Sequence, residues 1–210
     1  MCIRDRNITV PDSVTAALAR PTTVVAPGDT RLSRVESRVI AAPAQSLEAA
    51  ADRARAEGCD VRMLGDALEG EARDVARAQA AEALAIRAAM RPGDAPVLLL
   101  SGGEVTVTRR GVGVGGPNAE FCLAMAIALG GAEGIDALAC DTDGVDGAAE
   151  VAGALIGPAT LERAAVAGID PAAALAANNA HAFFAAVGGQ VVTGPTLTNV
   201  NDFRAVLIRR

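Results

Sequence analysis

Three aspartates stand within six residues in Asp141-Thr142-Asp143-Gly144-Val145-Asp146, directly after an apolar run that reads as a strand. The spacing is not that of a calcium loop, because Val145 takes the fifth position and Ala152 stands where a bidentate glutamate is required. Carboxylates at the carboxyl end of a buried strand suit magnesium, which takes one or two protein carboxylates and fills its other positions with phosphate and water. Crowded negative charges are costly without a nearby cation; the competing reading is an Asx-type turn with solvated acids. A second string, Gly111-Val112-Gly113-Val114-Gly115-Gly116, fits G-x-G-x-x-G, with a helix after it and Asp136 about 20 residues on. The stretch before it alternates and ends in Arg109-Arg110, whereas a dinucleotide-binding first strand is apolar and central. A connecting loop and a phosphate cradle at a helix N-terminus therefore stand beside the dinucleotide reading. A third string, Thr193-Gly194-Pro195-Thr196-Leu197-Thr198-Asn199-Val200-Asn201-Asp202, gathers five neutral hydrogen-bonding side chains and one acid. Such groups orient sugar-acid hydroxyls, or serve a turn through Gly, Pro and Asn alone. His181, the single histidine, sits among Ala180, Ala182, Phe183 and Phe184 and reads as a satisfied helix histidine rather than a base. Ser101 lacks the glycine spacing of a nucleophile elbow.

The elements that must carry these strings follow from periodicity and punctuation. Residues 39–42 read as a short strand, residues 46–57 as a helix closed by Gly58, and residues 60–64 as a strand. Residues 69–90 form an Ala-, Glu- and Arg-rich helix ended by Pro92-Gly93. Residues 96–100 are a continuous apolar strand covered on both faces, running into Ser101-Gly102-Gly103-Glu104. Residues 105–108 alternate like a half-exposed strand, residues 118–129 form an apolar helix started by Pro117 or Asn118, and residues 135–140 are another buried strand. Short helices over 160–167, 171–176 and 180–187 precede strands at 190–193 and 205–208. Strand, helix, strand is the signature of an α/β domain.

Composition bounds the chemistry. The chain has 210 residues, 51% hydrophobic and 2% aromatic, with a net charge of −6 and no lysine. A Walker A loop, a protein-kinase strand lysine and a pyridoxal Schiff base thus cannot be built from this chain alone. An acidic chain without aromatic or basic runs argues against nucleic acid. Cysteines at 2, 59, 122 and 140 form no C-x-x-C pair and read as isolated reduced thiols. The longest strongly apolar run, residues 121–129, is far short of the roughly 20 residues of a membrane span, and the charged first residues do not make a secretion signal. A cytoplasmic location is expected.

Taken together, Leu99-Leu100-Ser101-Gly102-Gly103-Glu104, Gly115-Gly116-Pro117-Asn118-Ala119-Glu120-Phe121, Asp141-Thr142-Asp143-Gly144-Val145-Asp146-Gly147 and the string at 193–202 resemble the C-terminal MOFRL domain of the glycerate 2-kinase family. The stretch from about Arg31 to Met90 is similar to the end of that family's larger N-terminal domain. The resemblance implies an α/β fold with mixed sheet layers and flanking helices: a MOFRL-type domain over 93–210 and the end of a Rossmann-like kinase domain over 36–92; Pro11, Pro21, Pro27 and Gly28 among short apolar patches mark residues 1–35 as a poorly ordered leader. It implies phosphorylation of glycerate at its 2-hydroxyl with ATP and Mg2+, in a cleft between two α/β domains. Asp141 and Asp143 would hold or orient the metal; Gly102, Gly103, Gly113, Gly115 and Gly116 would approach phosphates; Glu104, Asn118, Glu120, Thr196, Asn199 and Asn201 would line the substrate side. The alternatives are a nicotinamide-dependent hydroxypyruvate reductase and a non-catalytic small-acid-binding module. The partners implied are glycerate and ATP, a homodimer, and an upstream N-terminal half carrying the family's active-site lysine, without which this chain is expected to be weakly active. The family's Gly-Gly-Arg-Asn-Gln-Glu reads Gly-Gly-Pro-Asn-Ala-Glu here, so an arginine suited to phosphate charge is replaced by Pro117, leaving Arg109 or Arg110 as candidates for its role.

Overall fold

The structure, a computed structural model, describes residues 10–21 and 23–210. The chain divides into two compact units, Met1–Val39 and Ile40–Arg210. In the first, α1 (Asp12–Leu18) and a 3-10 turn (Thr30–Leu32) bury no residue. Asp29 accepts from the Arg31 backbone amide and guanidinium and so starts that turn. Within the predicted leader, residues 1–9, with Cys2, and residue 22 lie outside the described residues.

The second unit is a mixed α/β fold with flanking helices, the class expected. Its elements are α2 (Pro43–Ala56), β1 (Asp60–Gly65), β2 (Gly70–Glu71), α3 (Ala72–Ala89), β3 (Val97–Gly103), β4 (Val105–Thr106), α4 (Pro117–Leu129), β5 (Ile135–Asp141), β6 (Gly153–Ile156), α5 (Thr160–Val166), α6 (Pro171–Ala176), α7 (Ala180–Val187), β7 (Gln190–Val191) and β8 (Asp202–Ile208). The main sheet runs β1-β3-β8-β5-β6-β7. The β1·β3 pair is parallel and the other pairs are antiparallel, so the last strand inserts between β3 and β5.

Alternation along β3 explains the two layers. Leu100 packs with Leu47 and Ala51 of α2 on one face, while Val97 and Leu99 join Ala76 and Ala80 of α3 and Phe121 and Met125 of α4 on the other. Helix α4 is apolar on every side and is buried from Asn118 to Ala126, as expected of a helix between a sheet and other helices. Its αL C-cap is Gly130, with φ of +60°.

Several boundaries differ from the sequence reading. Residues 39–42 make no strand; Val39 and Ile40 are 81% and 90% exposed, so their β-branched character has no surface to pack on. Helix α2 instead begins at Pro43, with the Gln45 side chain accepting the Ala42 amide at 3.1 Å. Helix α3 begins at Ala72 because Gly70–Glu71 pairs with β4. Thr108 leaves the ladder to donate its amide and hydroxyl to the two Glu71 carboxylate oxygens, each at 2.9 Å. Strand β6 carries too short an apolar run to be read from sequence and begins with Gly153, which packs against the Ala139 carbonyl of β5. Cys59, Cys122 and Cys140 are free thiols. Among the described residues no helix is long and apolar enough to cross a membrane.

Candidate functional site

Strand register brings the sequence motifs to one end of the sheet. Gly103 at the end of β3 pairs with Asp202 at the start of β8, and Asp202 pairs in turn with Asp141 at the end of β5. Beyond β5 the chain folds through two consecutive Asx turns, the Asp143 amide donating to Asp141 Oδ1 at 2.9 Å and the Val145 amide to Asp143 Oδ1 at 2.8 Å. Residues 193–201 are pinned against this loop. Thr142 donates its hydroxyl to the Asn201 carbonyl and accepts the Val200 amide, both at 2.8 Å. The Thr196 amide donates to the Asp143 carbonyl at 3.1 Å, the Thr196 hydroxyl to the Thr142 carbonyl, and Asn199 Nδ2 to Asp143 Oδ2 at 3.2 Å. Gly144, at φ +97°, has no room for a Cβ because the Gly194 carbonyl lies against it. Asp141, Asp143, Thr196, Asn199 and Asn201 are thus assembled together.

The acids there are weakly compensated. Burial, then the nearby charges of Asp143 and Asp202, push the Asp141 carboxyl up to about 6, against a stabilising bond from the Asp143 amide. The one backbone amide that Asp141 accepts is that of Asp143, and its carboxyl lies within hydrogen-bonding reach of the Asp143 carboxyl, whose oxygens also take the Val145 amide and Asn199 Nδ2. An all-oxygen donor set with unrelieved negative charge fits a hard divalent cation, with Asp141 as the available ligand. No cluster of three or more His, Cys, Asp or Glu side chains suited to a metal occurs among the described residues, so most of a cation's shell would come from elsewhere.

Asp146, the third acid, has a different task. It is fully buried and caps α4, accepting the Asn118 amide at 3.0 Å, Asn118 Nδ2 at 3.3 Å and the Ala119 amide at 2.8 Å. Gly116 is required because a Cβ would collide with the Asp146 side chain. His181 Nε2 lies 2.9 Å from the Asp146 carbonyl; burial opposes its protonation, but the hydrogen bonds and charge of Asp146 outweigh that and raise its pKa. His181 lies on a helix as expected, but only its Nε2 side is satisfied: Nδ1 is buried without a hydrogen-bond partner among the described residues.

Asn118 and Glu120 face inward from the first turn of α4. Asn118 Nδ2 also donates to Asp202 Oδ1 at 2.7 Å, and its Oδ1 is buried without a partner. Glu120 accepts Arg73 Nε and Nη2 at 2.9 and 2.6 Å and Asn178 Nδ2 at 2.9 Å. Asn178, at φ +53°, then accepts the Arg110 and Gly111 amides at 2.7 and 2.9 Å. Glu120 therefore shapes the glycine-rich loop through Asn178 and is sealed from any ligand.

The loop's glycines answer to the protein's own chain. A Cβ at Gly111 or Gly113 would strike Ala177 or Asn179, and one at Gly115 would meet the Asn178 carbonyl at 2.9 Å. The Gly113 amide donates to the Ala177 carbonyl at 3.0 Å and the Val114 amide to Asn179 Oδ1 at 3.1 Å. A Cβ at Gly103 would likewise collide with the backbone of residues 67–68, and one at Gly102 would be tight against Leu47 at 3.2 Å and the Asp202 carbonyl at 3.3 Å, while Glu104 beside them is exposed. Arg109 lines a pocket of about 240 Å3 with Gly113, Gly115 and Asn178, and Pro117 occupies the first turn of α4.

Arg204 was not legible as a site residue. It is fully buried on β8, its Nη1 3.0 Å from Asp202 Oδ2 and its Nη2 donating to the Gly102 and Gly103 carbonyls at 2.9 and 3.2 Å. The available signal was spacing: Asp202 and Arg204, two apart on a strand, share a face.

A model of the MOFRL family matches residues 97–202. The chain is 49% identical over 204 residues to an Agrobacterium vitis protein bearing a hydroxypyruvate reductase name, across 96% of this chain and 46% of that one. It is 34% identical over 177 residues to D-glycerate 2-kinase of Thermotoga maritima, across 84% and 42%. The crystal structure of glycerate kinase from Thermotoga maritima superposes with a TM-score of 0.81 at 31% identity, covering 99% of this chain and 49% of that one. The chain spans about half the length of the relatives it matches.

Proposed function

The chain belongs to the MOFRL family, and on that premise we propose that it supplies one wall of a glycerate 2-kinase cleft in which ATP phosphorylates the 2-hydroxyl of glycerate. The observation that carries this reading is Asp141: a half-exposed carboxylate at a strand end, crowded by Asp143 and Asp202, given no cationic partner among the described residues, and with its proton affinity raised by burial and these neighbouring acids. Asp141 holds Mg2+, and Asp143 orients the loop that presents it. Bound Mg2+ supplies charge neutralisation on the phosphate oxygens. Thr196, Asn199 and Asn201 form the substrate side of the pinned loop, with Glu104 exposed at the neighbouring strand end. Arg109, beside Gly113 and Gly115, takes the place of the arginine that Pro117 displaces. Asn118 and Glu120 act on this wall from within, since their side chains are spent on Asp146, Asp202, Arg73 and Asn178. The chain spans about half of its relatives, so the reading expects weak turnover by these 210 residues alone.

A second reading, nicotinamide-dependent reduction of hydroxypyruvate, is favoured by the name of the 49% identical relative. Against it, the glycine loop is accounted for by contacts to residues 177–179, and four of its amides are already bonded to the protein. Paired assays separate the readings: ADP formed from ATP, Mg2+ and glycerate, and nicotinamide oxidised with hydroxypyruvate. Binding of glycerate without turnover in either assay, even with the other half of a relative supplied, would favour a binding module.

A further inference from the structure

The four motif strings are spread over about a hundred residues, yet one buried chain of hydrogen bonds joins them at their base. Arg204 reaches the Gly102 and Gly103 carbonyls with one nitrogen and Asp202 Oδ2 with another. Asp202 Oδ1 accepts Asn118 Nδ2, and Asn118 bonds through its amide and side chain to Asp146. Two carboxylates on the Nδ2 side of Asn118 fix which way its amide points. At the head of this chain the Arg204 guanidinium lies 5.7 Å from the Phe121 ring centroid, with no exposure to solvent.

We infer that Arg204 is the positioning residue of the site, holding Asp202 and the Ser101-Gly102-Gly103-Glu104 turn in the register that aims Asp141 at its cation; the metal part of this rests on the function proposed above. A planar fork is needed, because the guanidinium bonds in two directions at once and a lysine ammonium at the end of a flexible stem cannot hold both. Arg204 touches no ligand and acts through Asp202 and the two carbonyls.

The sign of a binding change separates positioning from plain electrostatics. Removing a cation beside an acidic site raises the negative potential and, by charge alone, tightens metal binding. Mn2+ binding is measured by water-proton relaxation on the 210-residue chain, the Arg204→Lys variant and the Arg204→Met variant. Positioning expects both variants to bind about tenfold more weakly. Unchanged binding by Arg204→Lys or tighter binding by Arg204→Met would overturn it. Arg204→Met leaves Asp202 buried and uncompensated; should it fail to fold, Arg204→Lys decides alone, provided its circular dichroism matches the parent. Should the parent chain not bind Mn2+, the metal assignment falls, and metal-free hydrogen exchange of Arg204→Lys decides. Faster exchange, by tenfold or more, confined to residues 101–104 and 141–147 upholds the positioning role. Unchanged exchange, or a uniform rise across α2 and α3 as well, refutes it.

Discussion

Asp141 and Asp202 stand directly opposite one another in the antiparallel register of β5 and β8. Like charges in that relation destabilise a sheet, and the two acids are treated unequally. Asp202 is bonded to Arg204 at 3.0 Å and to Asn118 at 2.7 Å, whereas Asp141 has the Asp143 amide at 2.9 Å and, beside it, another acid, the Asp143 carboxyl. The unrelieved repulsion falls on the residue assigned to the metal, the stability cost expected of a site built for a ligand.

The first prediction follows from the sign of that shift. The Asp141 carboxyl is raised from 3.8 to about 6, so the folded chain binds this proton more tightly than the unfolded one. Its contribution is fully favourable below 3.8 and is lost as pH rises through about 6. Asp141→Asn should therefore raise the melting temperature at pH 7.5 by roughly 2 °C, partial solvent screening keeping the gain small, and give no gain at pH 4. Thermal melts at the two pH values check this; a loss of stability at pH 7.5 would contradict it.

Glu120 and Asn178 make a second prediction accessible by proteolysis. Breaking the buried Arg73–Glu120 pair leaves the guanidinium with only its longer, 3.8 Å contact to Glu71, a cost of about 3 kcal/mol. Removing Asn178 frees the Arg110 and Gly111 amides. Asn178→Ala should thus open the loop locally, with trypsin cutting after Arg109 or Arg110 at least tenfold faster than in the parent. Glu120→Gln should show the same cleavage together with a large loss of stability in urea.

The cap on α4 is testable as a coupled unit. Gly116→Ala forces a Cβ into Asp146 and should cost about 3 kcal/mol; Asp146→Ala orphans the buried Asn118 and Ala119 amides and should cost a similar amount. Both changes act through one cap, so the double variant should fall short of the sum by more than about 1 kcal/mol in urea unfolding. Additive losses would mean that Gly116 is needed for another reason.

What the sequence made legible was what one segment can determine by itself. The apolar runs of β3 and β5, the helix before Gly130 and the polar string at 193–202 were all readable, as were the residues that come together around Asp141. Strand β6 was not, since its pairing depends on a glycine's fit against Ala139. The glycine-rich loop was ambiguous because glycine spacing reports that something approaches closely, not whether it is a phosphate or Ala177. Asn118 and Glu120 were recognisable as chemistry-bearing residues, but their spent hydrogen-bonding capacity depends on Asp202, Arg73 and Asn178, which lie 47 to 84 residues away. Arg204 shares a strand with apolar neighbours, and only the register of β3 shows the carbonyls it serves.

The assignment of Asp141 to magnesium-dependent phosphoryl transfer is tested most directly by glycerate-dependent ADP formation with ATP and Mg2+, using the parent chain and Asp141→Asn, each alone and with the N-terminal half of Thermotoga maritima glycerate kinase supplied in trans. The account predicts weak activity by the chain alone, a clear rise with the added half, and a fall of at least about a hundredfold on Asp141→Asn, as expected for loss of a group that stabilises transition-state charge. ADP formation indifferent to Asp141, or hydroxypyruvate-dependent nicotinamide oxidation in place of ADP formation, would contradict it.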